Sequence, residues 1–390
     1  MRTIIPVFFC ACFAAMAGFR IAGKVEPLTK AVPGRAAPGM AGRSAGSEAF
    51  PGKSFSGETF LRGSSPGASF AGDSFPQAEL SNGIIHARFY LPDTAKGYYR
   101  GSRFDWSGVM PSLEYKGHSF SGQWFDHYTP TLHDAIMGPV ESFDPIGYGR
   151  AASGGSFVAI GIGALAKGGL TGSAEPAYSP FHYYSLVNAG AWEVRRGSDR
   201  LEFRQTLRDT ACSYVYDKHI RLIKGEARLV IRHRLKNTGR QTIETNVYDH
   251  NLMPLDGQPV GPGLVFSFPF GLTATGKRRM GTIADIRDRQ IVFLEKPVKG
   301  EDVYAVLGGY GEGAGDYDIK MENHHTGAGV RIRCDRPLSK LVFWSSSTVA
   351  CPEPYIHIKV DPGSVFTWTI SYTFYEFPKD NKADQKSGQR

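Results

Sequence analysis

Residues 228–252, RLVIRHRLKNTGRQTIETNVYDHNL, decide the fold because a strand pattern lies on either side of a short turn. In residues 228–236, one face carries mostly Arg and the other carries four mainly apolar side chains: Leu229, Ile231, His233 and Leu235. Alternation with a period of two is typical of a strand with one buried face. Because Asn237-Thr238-Gly239 has turn chemistry, the stretch predicts a hairpin that pairs residues 228–236 with residues 241–250.

The same alternation and further turn signals recur from about residue 80 to residue 378. The run SVFTWTISYTF, residues 364–374, places five large apolar side chains on one face: Phe366, Trp368, Ile370, Tyr372 and Phe374. No long segment has the 3.6-residue period of a helix. The predicted fold class is therefore all-β, and residues 80–378 are expected to form a large antiparallel two-sheet sandwich.

The N-terminal residues have the pattern of an export signal. MRTIIPVFFCACFAAMAGF has one Arg before an apolar run, and Ala15-Met16-Ala17 offers a small-residue cleavage site. The run is too short and too rich in Cys and Ala for a membrane span. We predict a signal peptide over residues 1–17, a periplasmic or secreted protein, and no stable membrane insertion after cleavage.

Residues 18–79 have the composition of a linker, with few large aliphatic side chains and many Gly, Ser, Ala and Pro. Phenylalanine recurs there at multiples of five residues: Phe50, Phe55, Phe60, Phe70 and Phe75. A pentapeptide solenoid would need many more turns, with small residues at fixed inward positions. A disordered linker with exposed aromatic side chains is the prediction, and residues 379–390 are predicted to be a polar tail.

The net charge of +8 is concentrated at the two ends of the chain. Residues 1–75 hold eight Lys/Arg against four Asp/Glu, and residues 379–390 hold four against two, so six of the eight net charges lie there. The central residues are close to neutral and carry no nucleic-acid-binding motif. We therefore predict no nucleic-acid partner.

Cysteine and histidine spacings point to no cofactor. Cys10 and Cys12 leave with the signal peptide, and the three remaining cysteines allow at most one disulfide: Cys212, Cys334 and Cys351. The potential ligands between residues 118 and 141 have neither an HEXXH motif nor a zinc spacing. We predict neither a metal nor a cofactor.

The second half of the opening stretch has one unusually polar face. Ile243, Thr245, Val247 and Asp249 alternate with Glu244, Asn246, Tyr248 and His250. The first set is mainly apolar and is expected to pack on the core. A face on bulk water usually carries Lys, Arg, Thr and Glu, whereas Tyr, Asn and His are short-reach hydrogen-bonding groups. The pattern favours the wall of a cleft over plain surface, although plain surface stays the alternative.

The run LKNTGRQTIETNVYDHNLMPLDG resembles the central hairpin of the galactose mutarotase-like superfamily, which includes the aldose 1-epimerases. The resemblance centres on Asp249-His250-Asn251-Leu252, with Gly257 shortly after. YDIKMENHHTGAGVRI resembles the late strand pair of that superfamily, and VACPEPYIHIKVDPGSVFTWTISYTF resembles its final strands. The resemblance covers roughly residues 80–378, and the fold it implies is the large antiparallel β-supersandwich.

The resemblance also implies roles for individual residues. His250 would protonate the ring oxygen of a sugar, and Glu353 would remove the proton of the anomeric hydroxyl. Asp318 (or Asp316) would contact sugar hydroxyls, while His182 and Arg103 are candidates for an early histidine and arginine by rough position. We expect His250 and Glu353 to face one cleft, roughly one sugar ring apart.

Four further side chains are candidates for binding the sugar. Asn246, Tyr248 and Asn251 offer hydrogen bonds, and Trp124 offers a broad apolar plane with a polar edge. The predicted partner is thus a mono- or oligosaccharide. The first hypothesis for function is anomer interconversion by acid–base chemistry. The alternatives are a carbohydrate-binding module without turnover and a lyase-like enzyme acting on acidic polysaccharide.

Overall fold

The computed structural model of the chain describes residues 75–168 and 177–378. The first described strands are β1 (Gln77–Ser81), β2 (Ile85–Tyr90), β3 (Ser112–Tyr115), β4 (His118–Ser121), β5 (Gly138–Phe143), β6 (Ser156–Ala159), β7 (Gly163–Ala166), β8 (Leu186–Asn188), β9 (Ala191–Arg196), β10 (Arg200–Leu207), β11 (Tyr214–Leu222) and β12 (Arg228–Asn237). They are followed by β13 (Ile243–Leu252), β14 (Leu264–Ser267), β15 (Thr273–Arg278), β16 (Ala284–Arg287), β17 (Gln290–Phe293), β18 (Val303–Gly308), β19 (Asp318–Asn323), β20 (Ala328–Cys334), β21 (Lys340–Ser345), β22 (Ala350–Val360) and β23 (Val365–Glu376). The helical segments among these residues are two short 3-10 turns, Leu255–Gly257 and Ala314–Asp316.

Two antiparallel sheets form the main sandwich. The ten-stranded sheet has the order β16-β17-β14-β19-β20-β23-β12-β11-β10-β9, and the six-stranded sheet has the order β15-β18-β21-β22-β13-β5. The strands β1 to β4 form a third sheet and the strands β6 to β8 form a fourth. The predicted all-β fold, a large antiparallel supersandwich, is confirmed.

The inner faces of the two large sheets meet in one apolar core. Aromatic rings cross between the sheets: Phe143 of β5 lies 5.7 Å from Tyr216 of β11, and Phe266 of β14 lies 5.0 Å from Phe343 of β21. Burying an apolar side chain of this size contributes about 1.5–3 kcal/mol relative to exposure. The predicted inward face of β23 is also confirmed, since four of its five large side chains are buried and Phe366 is partly buried.

The predicted hairpin of residues 228–250 is wrong. β12 pairs with β11 and β23 in the ten-stranded sheet, whereas β13 pairs with β22 and β5 in the six-stranded sheet. Residues 238–242 therefore carry the chain from one sheet to the other. Asn237 holds this crossing, since its Nδ2 donates to the carbonyl oxygens of Gln241 and Val360, each at 2.8 Å. The apolar faces of the two strands enter the same core from opposite sheets instead of lying side by side in one sheet.

The described domain begins slightly before the predicted boundary at residue 80. β1 begins at Gln77, and the Phe75 ring packs edge-on against Tyr90, Tyr98 and Tyr128 at centroid distances of 5.6, 5.2 and 6.0 Å. The last phenylalanine of the repeat is thus part of the packed domain. The predicted signal peptide, residues 18–74 of the predicted linker and the predicted tail lie outside the described residues.

The three cysteines among the described residues are buried and free: Cys212, Cys334 and Cys351. The disulfide that their number allows is not formed. Across residues 75–168 and 177–378, no helix is long and apolar enough to cross a membrane. The same residues contain no group of three or more His, Cys, Asp or Glu side chains that could hold a metal ion.

A cluster of charged side chains lies between the two large sheets. The Lys218 ammonium of β11 lies 2.7 Å from a Glu141 oxygen of β5 and 3.2 Å from an Asp105 oxygen, and all three side chains are buried. His233 of β12 lies 3.0 Å from the Glu141 carboxylate. Burial would raise the pKa of Glu141, but the charges of His233 and Lys218 outweigh it and hold this pKa below its ordinary value. The cluster is stable as a set because each charge has a partner.

Replacing Lys218 by Met should lower the free energy of unfolding by about 3–5 kcal/mol, because Asp105 and Glu141 would keep buried charges without their shared cation. Urea unfolding followed by tryptophan fluorescence measures the difference. Lys320→Met is the matched control, since Lys320 lies exposed on β19 and should change stability by no more than about 0.5 kcal/mol. Equal effects of the two substitutions would contradict a structural role for the cluster.

Candidate functional site

The outer face of the six-stranded sheet forms the floor of a cavity of about 640 Å³. All six strands contribute side chains to it, and residues from the connections β2–β3, β4–β5, β5–β6, β7–β8 and β17–β18 complete its walls. The volume lies within the range of about 300–1,000 Å³ that small-molecule sites occupy. The inner face of the same sheet is committed to the core, so alternate residues of each strand serve the core and the cavity.

Two cross-strand rows of side chains cross the centre of this outer face, and all of them except the buried Val140 line the cavity. The acid–base row runs across β21, β22, β13 and β5 and consists of Val342, Glu353, His250 and Val140. The tyrosine row crosses the same four strands and consists of Lys340, Tyr355, Tyr248 and Ser142. The rows are two residues apart along each strand, and the period of a strand is two. All eight side chains therefore lie on one face of the sheet.

His250 and Glu353 are direct neighbours in the acid–base row. Their closest atoms, Nε2 and Oε1, are 3.5 Å apart, and the side chains are 5% and 9% exposed. The separation of one sugar ring that the sequence predicts is wrong, because the register of β13 and β22 puts both groups side by side on one wall. Phe104 and Trp344 pack edge-on against the His250 ring, each at 5.7 Å.

The His250 ring has one nitrogen without a partner. Its Nδ1 is buried and makes no hydrogen bond with the described residues. Buried polar atoms in native proteins are nearly always hydrogen-bonded, so an exception requires an explanation such as a functional role. The ring is held in place by aromatic packing rather than by a hydrogen bond to Nδ1.

Burial sets the distribution of protons in the pair. Burial raises the pKa of Glu353 to about 7, against the opposing charges of Arg103 and Lys340. Burial, together with the positive charge of Arg103, lowers the pKa of His250 to about 3. Near neutral pH the imidazole is therefore neutral and the carboxyl group is partly protonated. When the pair carries one proton, Glu353 holds it.

Arg103 connects the wall of the cavity to the tyrosine row. Its Nε and one terminal nitrogen donate to the Tyr248 hydroxyl at 3.2 and 3.1 Å, and its other terminal nitrogen forms an ion pair with Asp134. The guanidinium also lies 5.0 Å from the centroid of the Phe181 ring. Burial would raise the pKa of Asp134, but the His133 hydrogen bond and the Arg103 charge outweigh it and lower this pKa. Both charges of the pair are thus retained inside the wall.

A second histidine–glutamate pair occurs on the same two strands, outside the cavity. His357 of β22 and Glu244 of β13 are 3.4 Å apart, which matches the separation in the cavity pair, but their side chains are 48% and 53% exposed. The chemical groups are the same, but Glu244 lies opposite Lys359 and His357 lies opposite Asn246, so this pair is diagonal as well as exposed. This exposed pair provides an internal control for the cavity pair.

The structure brings five of the predicted site residues together at the cavity: Arg103, Trp124, Tyr248, His250 and Glu353. Trp124 stands at one side, where its ring lies 5.9 Å from that of Trp344 and its Nε1 donates to the carbonyl oxygen of Ile136. That these residues bind or transform a ligand stays a prediction.

The other four predicted site residues do not line the cavity. Asn246 lies beyond the tyrosine row, where its Nδ2 donates to Asp144 at 2.8 Å. Asn251 is on the inner face of β13 and donates to the carbonyl oxygen of Pro352 at 3.0 Å. The change of face follows from the alternation along the strand, because Asn251 is one residue from His250.

Asp318 lies in the other large sheet, and His182 follows the cavity residue Phe181 without lining the cavity itself. Asp318 begins β19 in the ten-stranded sheet and pairs with Arg331, whose Nε lies 2.7 Å from its carboxylate. Asp316, the alternative to Asp318, lies in a 3-10 turn before the same strand. His182 packs edge-on against Tyr184 at 4.7 Å in the β7–β8 connection.

Several cavity residues were not found from the sequence. KLVFWS, residues 340–345, alternates Lys340, Val342 and Trp344 with Leu341 and Phe343, and only the first set lines the cavity. Tyr355 is two residues from Glu353 on β22 and lines the cavity for the same reason. The alternation along each strand could have identified these residues once one cavity residue of that strand was known. No sequence pattern identifies the loop residues Phe181 and Tyr178.

No protein-family model matches the sequence, and no curated protein matches it. The chain is similar in structure to the Slr1438 protein of Synechocystis sp. PCC 6803, with 13% identity, a TM-score of 0.49 and coverage of 79% of this chain and 99% of that one. It is similar to a galactose mutarotase-like protein from Clostridium acetobutylicum, with 10% identity, a TM-score of 0.49 and coverage of 77% and 95%.

A putative aldose 1-epimerase from Escherichia coli is also similar, with 13% identity, a TM-score of 0.46 and coverage of 77% of this chain and 99% of that one. These likenesses concern the fold, and one fold supports many activities. The function of the cavity must therefore be argued from its own residues.

Glu353 should titrate with a midpoint near pH 7, because its carboxylate is buried. Carbon NMR of protein labelled at glutamate carboxyl carbons, with Glu353→Gln to assign the signal, measures the midpoint. Lys340→Met should move the midpoint upward, since it removes a charge that stabilises the carboxylate. A midpoint near the ordinary glutamate pKa of about 4.3 would contradict the burial argument.

Proposed function

We propose that the chain is an exported aldose mutarotase, which interconverts the anomers of a free sugar bound in the cavity. The observation that carries the proposal is the buried His250–Glu353 pair, 3.5 Å apart on the floor of a cavity of about 640 Å³. The predicted signal peptide supports export to the periplasm or the exterior.

The reaction needs two proton transfers at neighbouring oxygens. One group takes the proton of the anomeric hydroxyl while another gives a proton to the ring oxygen, and the bond between C1 and the ring oxygen breaks to leave an open-chain aldehyde. Rotation about the C1–C2 bond and reversal of both transfers closes the ring as the other anomer. Because both oxygens are bonded to C1, an acid and a base that lie side by side, as Glu353 and His250 do, can reach both of them. Each positioned group contributes about 10²–10⁴-fold.

The pair holds one proton over the pH range in which it would work. Between the His250 pKa of about 3 and the Glu353 pKa of about 7, the imidazole is neutral and the carboxyl group is protonated. In that state Glu353 is the acid and His250 is the base. Transfer of the proton to His250 gives the opposite roles, which the superfamily resemblance implies. The two assignments contain the same number of protons, so one pH profile describes both.

The tyrosine row is suited to hold the sugar beside this pair. Tyr248 and Tyr355 are stacked with ring centroids 4.7 Å apart. Because the Tyr248 hydroxyl accepts two N–H bonds from Arg103, its own proton is free to be donated to a sugar hydroxyl. Trp344 and Trp124 add apolar ring surface, which the C–H faces of sugars contact favourably.

His250→Ala and Glu353→Gln should each lower the catalysed mutarotation rate by about 10²–10⁴-fold, with sugar affinity within a few-fold of the parent, because each removes one proton-transfer group. Polarimetry measures the rate, and tryptophan fluorescence measures binding. The matched controls are His357→Ala and Glu244→Gln, which alter the exposed pair on the same strands. Parent-like rates in the cavity variants, or equal losses in the controls, would overturn the assignment of this pair.

The catalysed rate should fall by about tenfold per pH unit above pH 7, because Glu353 loses the shared proton as the pH rises through its pKa. Below pH 7 the rate should level off, since His250 gains a second proton only as the pH falls toward 3. Polarimetry between pH 5 and pH 9, corrected for the buffer reaction, measures the profile. A rate that rises through pH 7 would show that the active form lacks this proton.

The two alternative functions give different products. A binding module would hold sugars in the cavity but leave every anomeric equilibration at the buffer rate. A lyase would form an unsaturated sugar from an acidic oligosaccharide, which absorbs in the ultraviolet, without accelerating mutarotation. A panel of free aldoses and oligouronides, followed by polarimetry and absorbance, separates all three functions.

A further inference from the structure

Three cations line the cavity, and carboxylates neutralise two of them. Arg103 is paired with Asp134 and donates to Tyr248. Arg278 of β15 holds Asp302 through two hydrogen bonds, with the Nε to Oδ1 distance at 2.6 Å. Both guanidinium groups are satisfied before a ligand enters, so neither offers an uncompensated charge.

Lys340 is the third cation and differs from the other two. In the part of the chain that the structure describes, no carboxylate oxygen lies within ion-pair distance of its ammonium. The ammonium instead lies 4.7 Å from the centroid of the Tyr355 ring, its neighbour in the tyrosine row. An aromatic face attracts the charge but accepts no conventional hydrogen bond, so the three N–H donors stay available.

The register of β21 and β22 fixes the distance from Lys340 to the acid–base row. Val342 lies directly opposite Glu353, and Lys340 lies two residues away on the same face of β21. Diagonal neighbours of this kind have backbone positions about 7–8 Å apart. A sugar whose C1 lies at the His250–Glu353 pair can therefore extend its far side, or a substituent there, to the ammonium.

The part of the cavity around Lys340 stays positively charged, because the carboxylates of the cavity are bound by other groups or lie far from it. Asp134 and Asp302 are each bound by an arginine, and Asp144 accepts a hydrogen bond from Asn246 beyond β5. β5 is three strands from β21 in the sheet, or about 14 Å at the usual strand spacing. Glu353 is the one nearby carboxyl group that is not bound by a cation.

We infer that the sugar bound in the cavity carries an anionic group, a carboxylate or a phosphate, which pairs with Lys340. This inference rests on the proposed function, because it takes C1 of the sugar to lie at the His250–Glu353 pair. Lys340 is then a specificity-determining residue. An anionic group would neutralise the charge of the Lys340 ammonium, whereas a neutral aldose would leave the ammonium hydrogen-bonded to water.

The test compares a neutral aldose with two anionic ones in the full chain. Glucose, glucuronate and glucose 6-phosphate are titrated, and the fluorescence of Trp124 and Trp344 reports occupancy of the cavity they line. The parent should bind at least one anionic aldose about tenfold more tightly than glucose, because a charge-assisted hydrogen bond is added. The comparison of glucuronate with glucose 6-phosphate identifies the group.

Lys340→Met should weaken binding of the preferred anionic aldose about tenfold and leave glucose within about twofold. Lys359→Met is the matched control, because Lys359 lies on β22 outside the cavity and pairs with Glu244 at 3.5 Å. It should leave all three affinities unchanged. Polarimetry on the same samples should show a KM increase of the same size for the anionic aldose in Lys340→Met and none in Lys359→Met.

The outcomes separate this inference from the proposed function. Equal affinity of the parent for neutral and anionic aldoses, or equal losses in Lys340→Met and Lys359→Met, would overturn the role of Lys340 and leave mutarotation standing. A Lys340-dependent preference for anionic sugars without any accelerated mutarotation would support the anionic ligand and overturn the enzymatic function.

Discussion

The alternation of side chains along β13 is the constraint on which both the core and the cavity depend. Val247 and Asp249 point between the two sheets, where the Tyr372 hydroxyl binds the Asp249 carboxylate. Tyr248 and His250 point outward into the cavity. A central strand with two committed faces tolerates no shift in register by one residue, because each side chain would move to the opposite environment.

Burial, rather than residue type, distinguishes the histidine–glutamate pair proposed to transfer protons from the exposed pair on the same strands. His250–Glu353 and His357–Glu244 have nearly the same separation on the same strands, yet only the first pair is removed from water. Between the sheets, Lys218 shares two carboxylates and the charges persist because they are paired. In the cavity no cation binds Glu353 directly, and its proton affinity rises instead.

The sequence predicts the fold class well because period-two alternation is a local property, repeated in β12, β13 and β23. It does not predict how strands associate, and the wrong hairpin at Asn237 shows why. An apolar face followed by a turn fits a pair of neighbouring strands and a crossing between two layers equally well. The choice depends on partners such as β5 and β22, which lie far away in the chain.

The same limit applies to the site. His250 and Tyr248 could be predicted because they share a strand and stand out from its apolar face, and Glu353 followed from the superfamily resemblance. The prediction that Asn251 lines the cavity was wrong, because a match to a motif does not specify which way a side chain points. Lys340 and Trp344 were missed because nothing local in KLVFWS shows that its outer face meets β22 beside Glu353.

The partners of β13 also determine when the cavity can form during folding. The Asn246–Asp144 hydrogen bond joins residues 102 apart in the chain, and the His357–Asn246 hydrogen bond joins residues 111 apart on the other side. Contacts of such long range cost loop-closure entropy before they bring any stabilisation, and they slow folding. Glu353 and Tyr355 follow His250 far along the chain, so the cavity can be assembled only after β22 has paired with β13.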